Sequence, residues 1–463
     1  MLAGMIRHAR ILNSGRMTPA QTRKMGTAVT PDNARRPCST TLCTGMLASL
    51  LLAVALVCPR PANGAPVDAR PLDAAEKTPL EQALKEFFEA TPERQANWKF
   101  ARDLDDLLAR HETAVRELAW EALRSSASQQ WLKTNLDAGQ VRSGQYLSPF
   151  TVKKVGDPPA NGRALFIAMH GGGGAPQEVN DSQWKVMQRY YKDHPEAGGY
   201  IYVALRAPNN TWNGFYDDYV YPLIANLIRE FTFFEGVNPD KVFIMGYSHG
   251  GYGAFAVGPK MPDHFAAIHA SASAPTDGET TAKTLRNTIF TVMVGEKDTD
   301  YGRIDRCRKF NQTIEELKAA HPGLYPVTVS VIAGNGHRGL PDRDLIKEMY
   351  PAVRNPVPRD LCWFMTDTVI KDFFWLRADQ PAKGQEINAT CFDNRITLTA
   401  TNATSAAVYL DRRLADLSRP VEVVVNGKAS TLTLHPSLLT LCQTMRDRGD
   451  PGLAFTVELP IKF

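Results

Sequence analysis

The sequence predicts an α/β fold. A largely parallel sheet is covered by helices on both faces, with a helical extension before it and a small β-sandwich-like unit after it. Three observations carry this expectation. Between residues 149 and 333, short apolar runs of strand character alternate with helical patterns. At residues 241–254 the chain reads KVFIMGYSHGGYGA, a buried strand that breaks at a Gly-x-Ser-x-Gly turn into a Gly/Ala-rich helix start. Beyond residue 386 strands of alternating polarity take over, with Asn426-Gly427 as a hairpin signal.

A chain of 463 residues is long enough for two or three units, one with a sizeable core. Its 43% hydrophobic and 22% charged content is that of a soluble globular protein. The formal net charge of +4 comes from the first 65 residues, where eight Lys/Arg meet one Asp/Glu; the remainder carries about −3. A mildly acidic body offers no electrostatic footprint for nucleic acid, and that class is excluded.

Residues 1–65 read as a targeting segment. Arg-rich polar sequence leads to the apolar stretch 46–57, too short for a stable membrane span. A helix-breaking run ending at Ala65 follows. The expectation is an exported protein, secreted or periplasmic, cleaved near Ala65 and without a membrane span in its mature form. Met17 and Met25 are alternative starts, and an uncleaved anchor is the competing reading. Four cysteines follow the cleavage point: Cys307, Cys362, Cys391 and Cys442. An even number in an exported chain permits two disulfides, and none of the four has metal-ligand spacing.

Taken in order, residues 66–76 are Pro/Ala/Asp-rich and are expected to lack structure. Thr78-Pro79-Leu80-Glu81 reads as a capping box with Pro at the first helical position. Leu80, Leu84, Phe87 and Phe88 mark one helical face, and helical spacing continues to about Leu136. The helical extension therefore spans 66–147 and the central unit 148–376. Within that unit strands are expected at 150–155, 164–169, 200–205, 265–270, 288–295 and 327–333. Helices are expected at 223–234 and 304–319, and Asn238-Pro239 is read as a break before the serine strand. A polar linker (377–385) follows a helix expected to end near Trp375. It leads to a β-rich unit (386–463) interrupted by one helix at 437–446. That last unit either docks on the central one or binds polymer.

Parallel sheets carry their sites at the carboxyl ends of the strands, and the chemistry-bearing motifs all fall there. A serine on the sharp turn at Ser248 presents its hydroxyl as a nucleophile. The 164–169 strand runs into His170 and four glycines, Gly171 to Gly174. Consecutive glycines free backbone N–H groups to hold a developing oxyanion. Gly171 and Gly172, with the N–H of His249, are the candidate donors. No Lys-Ser/Thr follows, so the glycines are not a phosphate-binding P-loop. The 288–295 strand runs into Glu296-Lys297-Asp298-Thr299-Asp300, where Asp298 is the candidate acid and Asp300 its rival. Glu296 and Asp305 read as solvated or helix-capping. Residues 334–339, GNGHRG, present His337 as the general base. His264 and His269 precede the acid, while His321 and His435 sit in other contexts. In this reading His337 deprotonates Ser248 as it attacks a carbonyl, and Asp298 orients the imidazole.

HGGGG, GYSHGGYGA, GEKD and GNGHRG together resemble the α/β-hydrolase superfamily over about residues 148–376. Within it they are similar to secreted esterase and predicted-peptidase groups related to polyhydroxybutyrate depolymerases and feruloyl esterases. The resemblance implies an α/β-hydrolase sheet, a serine hydrolase activity and no cofactor or metal. The substrate it implies is a small-molecule or polymeric ester. A serine peptidase of the prolyl-oligopeptidase-like group is the alternative, although the propeller of that group is absent. A catalytically inactive binding protein on the same fold is the third reading. The aromatic-rich stretch 206–219, Trp184 and the 271–287 loop are candidate walls of the substrate cleft.

Overall fold

The computed structural model describes residues 70–276 and 281–463. The targeting segment expected at 1–65 lies outside them, as does the middle of the 271–287 loop. The described residues fall within one compact unit.

Five helices come first: α1 (Ala74–Glu89), α2 (Pro92–Ala96), α3 (Arg102–Arg110), α4 (Glu112–Ser125) and α5 (Gln130–Asp137). The first starts earlier than expected. Asp73 accepts the Glu76 N–H at 3.0 Å, and Glu76 accepts the Asp73 N–H at 3.3 Å. This reciprocal cap satisfies the helix start five residues before the expected one and leaves Pro79 inside the helix. Residues 74–76 are therefore the first turn of α1 rather than unstructured chain. Leu80, Leu84, Phe87 and Phe88 are buried as their spacing requires.

The main sheet follows: β1 (Gln140–Ser143), β2 (Tyr146–Val155), β3 (Arg163–Met169), α6 (Gln177–Met187), β4 (Tyr200–Leu205), α7 (Val220–Phe234), β5 (Val237–Tyr247), α8 (His249–Lys260), β6 (Ala267–Ser271), β7 (Ile289–Gly295), α9 (Arg303–Ala320) and β8 (Val327–Ile332). Its eight strands lie in the order β1-β2-β4-β3-β5-β6-β7-β8. Pairing is antiparallel through β1, β2 and β4 and parallel from β4 onward. Both faces are covered, which explains the unbroken apolar runs. Leu165, Ile167 and Met169 of β3 enter one core, while Ala164, Phe166 and Ala168 enter the core on the opposite face. The break expected at Asn238-Pro239 is instead a register shift. Arg163 pairs with Val237 and Leu165 with Val242, so residues 238–241 form an irregularity inside β5 rather than a loop before it.

After α10 (Leu345–Met349) come β9 (Asp360–Phe364), β10 (Asp372–Phe373), β11 (Leu376–Arg377), β12 (Glu386–Phe392), β13 (Arg395–Thr401), β14 (Ser405–Leu410), β15 (Val421–Val425), β16 (Lys428–Leu432), α11 (Leu438–Arg448) and β17 (Val457–Lys462). They form two sheets, β10-β11-β14-β17 and β16-β15-β13-β12-β9, over a shared core that includes Trp363, Phe373, Trp375, Leu398 and Phe455. Two expectations are corrected here. The chain near Trp375 is strand and turn, not a helix end, with Phe374 at φ +52. The β-rich unit also begins well before residue 386. The apolar run of β9 pairs along β12, Trp363 opposite Ile387, because that is where its side chains find a core. Residues 379–385 are thus a loop between two of its strands, tied down by Gly384 N–H to Met365 O and Met365 N–H to Gln385 O, each 2.9 Å.

The permitted disulfides do not form. Cys307, Cys362, Cys391 and Cys442 are free and buried, and Cys307, Cys391 and Cys442 belong to three different cores. Among the described residues no helix is long and apolar enough to cross a membrane.

Candidate active site

The serine turn is built by close packing. Val242–Met245 are fully buried, and β5 ends at Tyr247. A Cβ on Gly246 would stand 2.1 Å from the Gly250 carbonyl oxygen, and one on Gly250 would stand 2.1 Å from that of Met169. Only glycine allows the helix to leave the strand so abruptly. The remaining strain falls on Ser248, at φ +55 and ψ −114, which lifts its side chain clear of β5 while α8 starts at the next residue. Two backbone bonds brace the turn: Ser248 N–H to Ser271 O and Gly250 N–H to His170 O, both 2.9 Å.

The loops after β7 and β8 converge on this turn. His337 Nε2 lies 3.0 Å from Ser248 Oγ, and His337 Nδ1 lies 2.8 Å from Asp298 Oδ2. Asp298 is 2% exposed, whereas Asp300 is exposed and opens a short turn of its own. Glu296 is exposed but not merely solvated. Its Oε2 accepts the Gly334 N–H at 2.8 Å and ties the two loops together. Asp305 is exposed in the first turn of α9.

Around the serine, the N–H of His249 is the first of α8 and has no acceptor within the helix. Among the described residues no hydrogen bond occupies the N–H of Gly171 or Gly172, while Gly173 N–H is taken by Asn180 Oδ1 at 2.9 Å. Gly171 borders Ser248, since a Cβ there would be 3.6 Å from Ser248 Cβ. His170 holds this loop with its side chain. Its Nε2 accepts the Ala207 N–H at 3.1 Å, which puts the ring proton on Nδ1, 2.5 Å from Gly171 O.

Three other histidines lie close by, and burial keeps each neutral. Desolvation lowers His170 to about 3, His249 to about 4 and His269 to about 3. His337 keeps 31% of its side chain exposed. The His249 ring does more than the sequence suggests. Its Nε2 lies 2.9 Å from Trp212 O, and it packs against Gly173 and Phe215, closing the floor beside the serine.

The expected cleft walls divide. Phe215 and Tyr216 are core, and Trp184 donates its indole N–H to Ala204 O at 2.9 Å. Trp212 remains 39% exposed, packed on Gly174 and 5.3 Å from the ring of Tyr301, which is 65% exposed at φ +56. No motif announced Tyr301. Nor did any announce Arg303, which holds the second oxygen of Asp298, or Tyr247, whose hydroxyl donates to His337 O. Asp342 also escapes a sequence reading. Fully buried, it accepts from Ser271 Oγ at 2.6 Å and from Tyr190 OH at 2.7 Å.

Strand order, a strained serine after β5, an aspartate after β7 and a histidine after β8 now stand together. The fold is that of an α/β-hydrolase. No family model matches the sequence, and none of the curated proteins does. Solved structures similar to this hydrolase fold include a thermostable esterase, at 16% identity over 46% of this chain and 62% of the esterase, with a TM-score of 0.36. The chain thus spans less than two thirds of that esterase. A second is LpqC, a poly(3-hydroxybutyrate) depolymerase from Bordetella parapertussis, at 16% identity over 47% and 89%, with a TM-score of 0.31. A third comes from a study of two prolyl endopeptidases, at 14% identity over 44% and 38%, with a TM-score of 0.32.

Proposed function

We propose that this chain is an exported serine hydrolase that cleaves carboxylic esters through an acyl-enzyme on Ser248. The observation that carries the reading is the unbroken hydrogen-bonded run from Ser248 Oγ through His337 to Asp298, 3.0 and 2.8 Å. His337 Nε2 takes the hydroxyl proton as Ser248 attacks the ester carbonyl, while Asp298 holds the imidazole in the required tautomer. The tetrahedral oxyanion is received by the N–H of His249 and by those of Gly171 and Gly172. Collapse expels the alcohol, protonated by His337. Water activated by the same imidazole then releases the acid.

The substrate is a small-molecule or polymeric ester, bound without a cofactor. Trp212 and Tyr301 form one wall of the cleft, so Trp212→Ala is expected to raise KM for an aryl ester about tenfold while leaving an acetyl ester nearly unchanged. Export rests on residues 1–65, and N-terminal sequencing of exported protein should begin near Pro66.

The deciding experiment labels the purified protein with a fluorophosphonate probe and maps the adduct to Ser248, with Ser248→Ala as the control. A panel of p-nitrophenyl esters is run beside Xaa-Pro and other peptide amides, and ester turnover is expected to dominate. Amide turnover above ester turnover would move the assignment to a serine peptidase. A folded but unlabelled protein would leave a binding protein on the same fold.

A further inference from the structure

Asp298 has two carboxylate oxygens, and only one faces the imidazole. The other, Oδ1, accepts from Arg303 Nη1 at 2.6 Å. The pair is sealed from solvent, with side chains 5% and 1% exposed for Arg303 and Asp298. The guanidinium is itself fixed from two sides. Its Nε donates to Tyr252 OH at 3.2 Å, and the ring of Tyr301 lies 4.9 Å from its central carbon. The backbone is bent to achieve this. Tyr301 and Gly302 take consecutive left-handed conformations, φ +56 and +65, which turn the chain back so that the first residue of α9 faces the aspartate. Ile304 N–H then closes onto Asp298 O at 3.2 Å. A non-glycine residue held left-handed and exposed beside a buried ion pair is strain retained for a reason.

The other titratable groups facing this pair and His337 come from every element around it. The serine turn and α8 supply Tyr247 and Tyr252, and α9 supplies Arg306 and Cys307. The loops after β7 and β8 supply Glu296, Asp300, Arg338 and Asp342. Burial keeps the two phenols protonated and pushes the Cys307 thiol up to about 12, so these three are uncharged. Glu296 is committed to Gly334 N–H and Asp342 to Ser271 and Tyr190. Arg306 reaches the carbonyls of Tyr301 and Pro275. Among the described residues, Arg303 is the cation in contact with Asp298.

We propose that Arg303 is a positioning residue: by taking Asp298 Oδ1 it aims Oδ2 at His337 Nδ1, and so holds the imidazole in the orientation and tautomer that faces Ser248. The proposal rests on the serine hydrolase reading. A carboxylate held at both oxygens cannot rotate away from the imidazole, so the orientation that the tautomer requires is kept.

The test compares Arg303→Gln, which keeps an N–H donor for Asp298 without the charge, Arg303→Met, which removes both, and Arg303→Lys, which keeps the charge. In Arg303→Met kcat is expected to fall roughly 10–100-fold with KM within about threefold of the parent. Arg303→Lys should recover most of that loss, and Arg303→Gln should fall between the two. Should Arg303→Met not fold, the Gln and Lys variants carry the comparison. An unchanged kcat in a folded Arg303→Met overturns the proposal, and so does a loss in Arg303→Lys as deep as that in Arg303→Gln. A second measurement needs no turnover: the NMR resonance of the His337 Nδ1 proton in Ser248→Ala, with and without Arg303→Gln. Upfield movement of that resonance with no esterase activity in the parent would sink the hydrolase reading and keep the arginine's role. An unmoved resonance sinks the role itself.

Discussion

Ser248→Ala or His337→Ala should lower kcat/KM by roughly 10⁴–10⁶, and Asp298→Asn by about 10⁴, each with an unchanged circular dichroism spectrum. These residues meet in the loops at the carboxyl ends of β5, β7 and β8, outside the hydrophobic cores. A second residue-scale expectation concerns Glu230 on α7. It is fully buried, and among the described residues neither carboxylate oxygen has a hydrogen-bond partner. Burial raises it from 4.5 to about 9, so the folded chain holds a proton there that the unfolded chain has released above about pH 4.5. Stability from this group is therefore complete below pH 4.5 and is lost progressively as pH rises toward 9. Urea unfolding of Glu230→Gln at pH 8 should show a gain on the order of 2 kcal/mol over the parent, shrinking toward zero at pH 4. A gain independent of pH would contradict the protonated assignment.

At the scale of elements, the loop after β8 is anchored at several points rather than left mobile. Glu296 holds Gly334, Lys297 N–H reaches Asn335 O at 2.8 Å, Tyr247 holds His337 O, and Asp342 joins the loop's far end to Ser271 and Tyr190. Ser271 O also accepts the Ser248 N–H, so the serine turn and the histidine loop share one support at the end of β6. Asp342→Ala would take away the shared acceptor of Ser271 Oγ, leaving it His269 Nε2 alone, and of the half-buried Tyr190 hydroxyl. It is expected to cost about 2–4 kcal/mol in urea unfolding and to slow kcat more than it changes KM.

How legible such features were in the sequence follows from their range. The serine turn, the glycine run and the two loops were readable because local spacing carries their chemistry: Gly246, for one, is required by the carbonyl of nearby Gly250. The rest depended on partners far along the chain. The β9 run had no visible partner until β12 lay beside it, and the Asp342 pairing spans 71 residues to Ser271. Arg303 was hidden although only five residues from Asp298, because nothing in its spacing reveals a left-handed turn at Tyr301. The cap of α1 was misplaced for a similar reason. Asp73 and Thr78 are both acceptable caps locally, and the reciprocal Asp73–Glu76 bonds, with Arg70 held on Glu76, select the earlier one.

For the whole molecule, the β-rich unit is joined to the hydrolase sheet by buried charges. Arg354 donates to Asp240, at the irregular start of β5, at 3.0 Å, and to Asp450, beyond α11, at 2.6 Å. Arg448 pairs with Asp263, and Lys260 with Asp367. Docking in this manner leaves Asp450 dependent on its arginine. Arg354→Met should cost about 3–5 kcal/mol, and the double variant Arg354→Met/Asp450→Leu should recover most of the loss. Failure of the second change to rescue the first would mean that the arginine acts through packing alone.

The core beneath the N-terminal helices has one further consequence, for the order in which the protein can be made. Leu80, Phe87, Leu108 and Val115 share that core with Leu438, Leu441 and Met445 of α11, and Asp105 accepts the Leu438 N–H from 333 residues away. The helices leave the ribosome first, yet the surface that covers them is made almost last, roughly 15–70 s later at ordinary elongation rates. Throughout that interval the chain presents an open apolar face. A message truncated before residue 438 should accordingly yield protein that binds chaperones and aggregates, even though the serine, aspartate and histidine are all encoded.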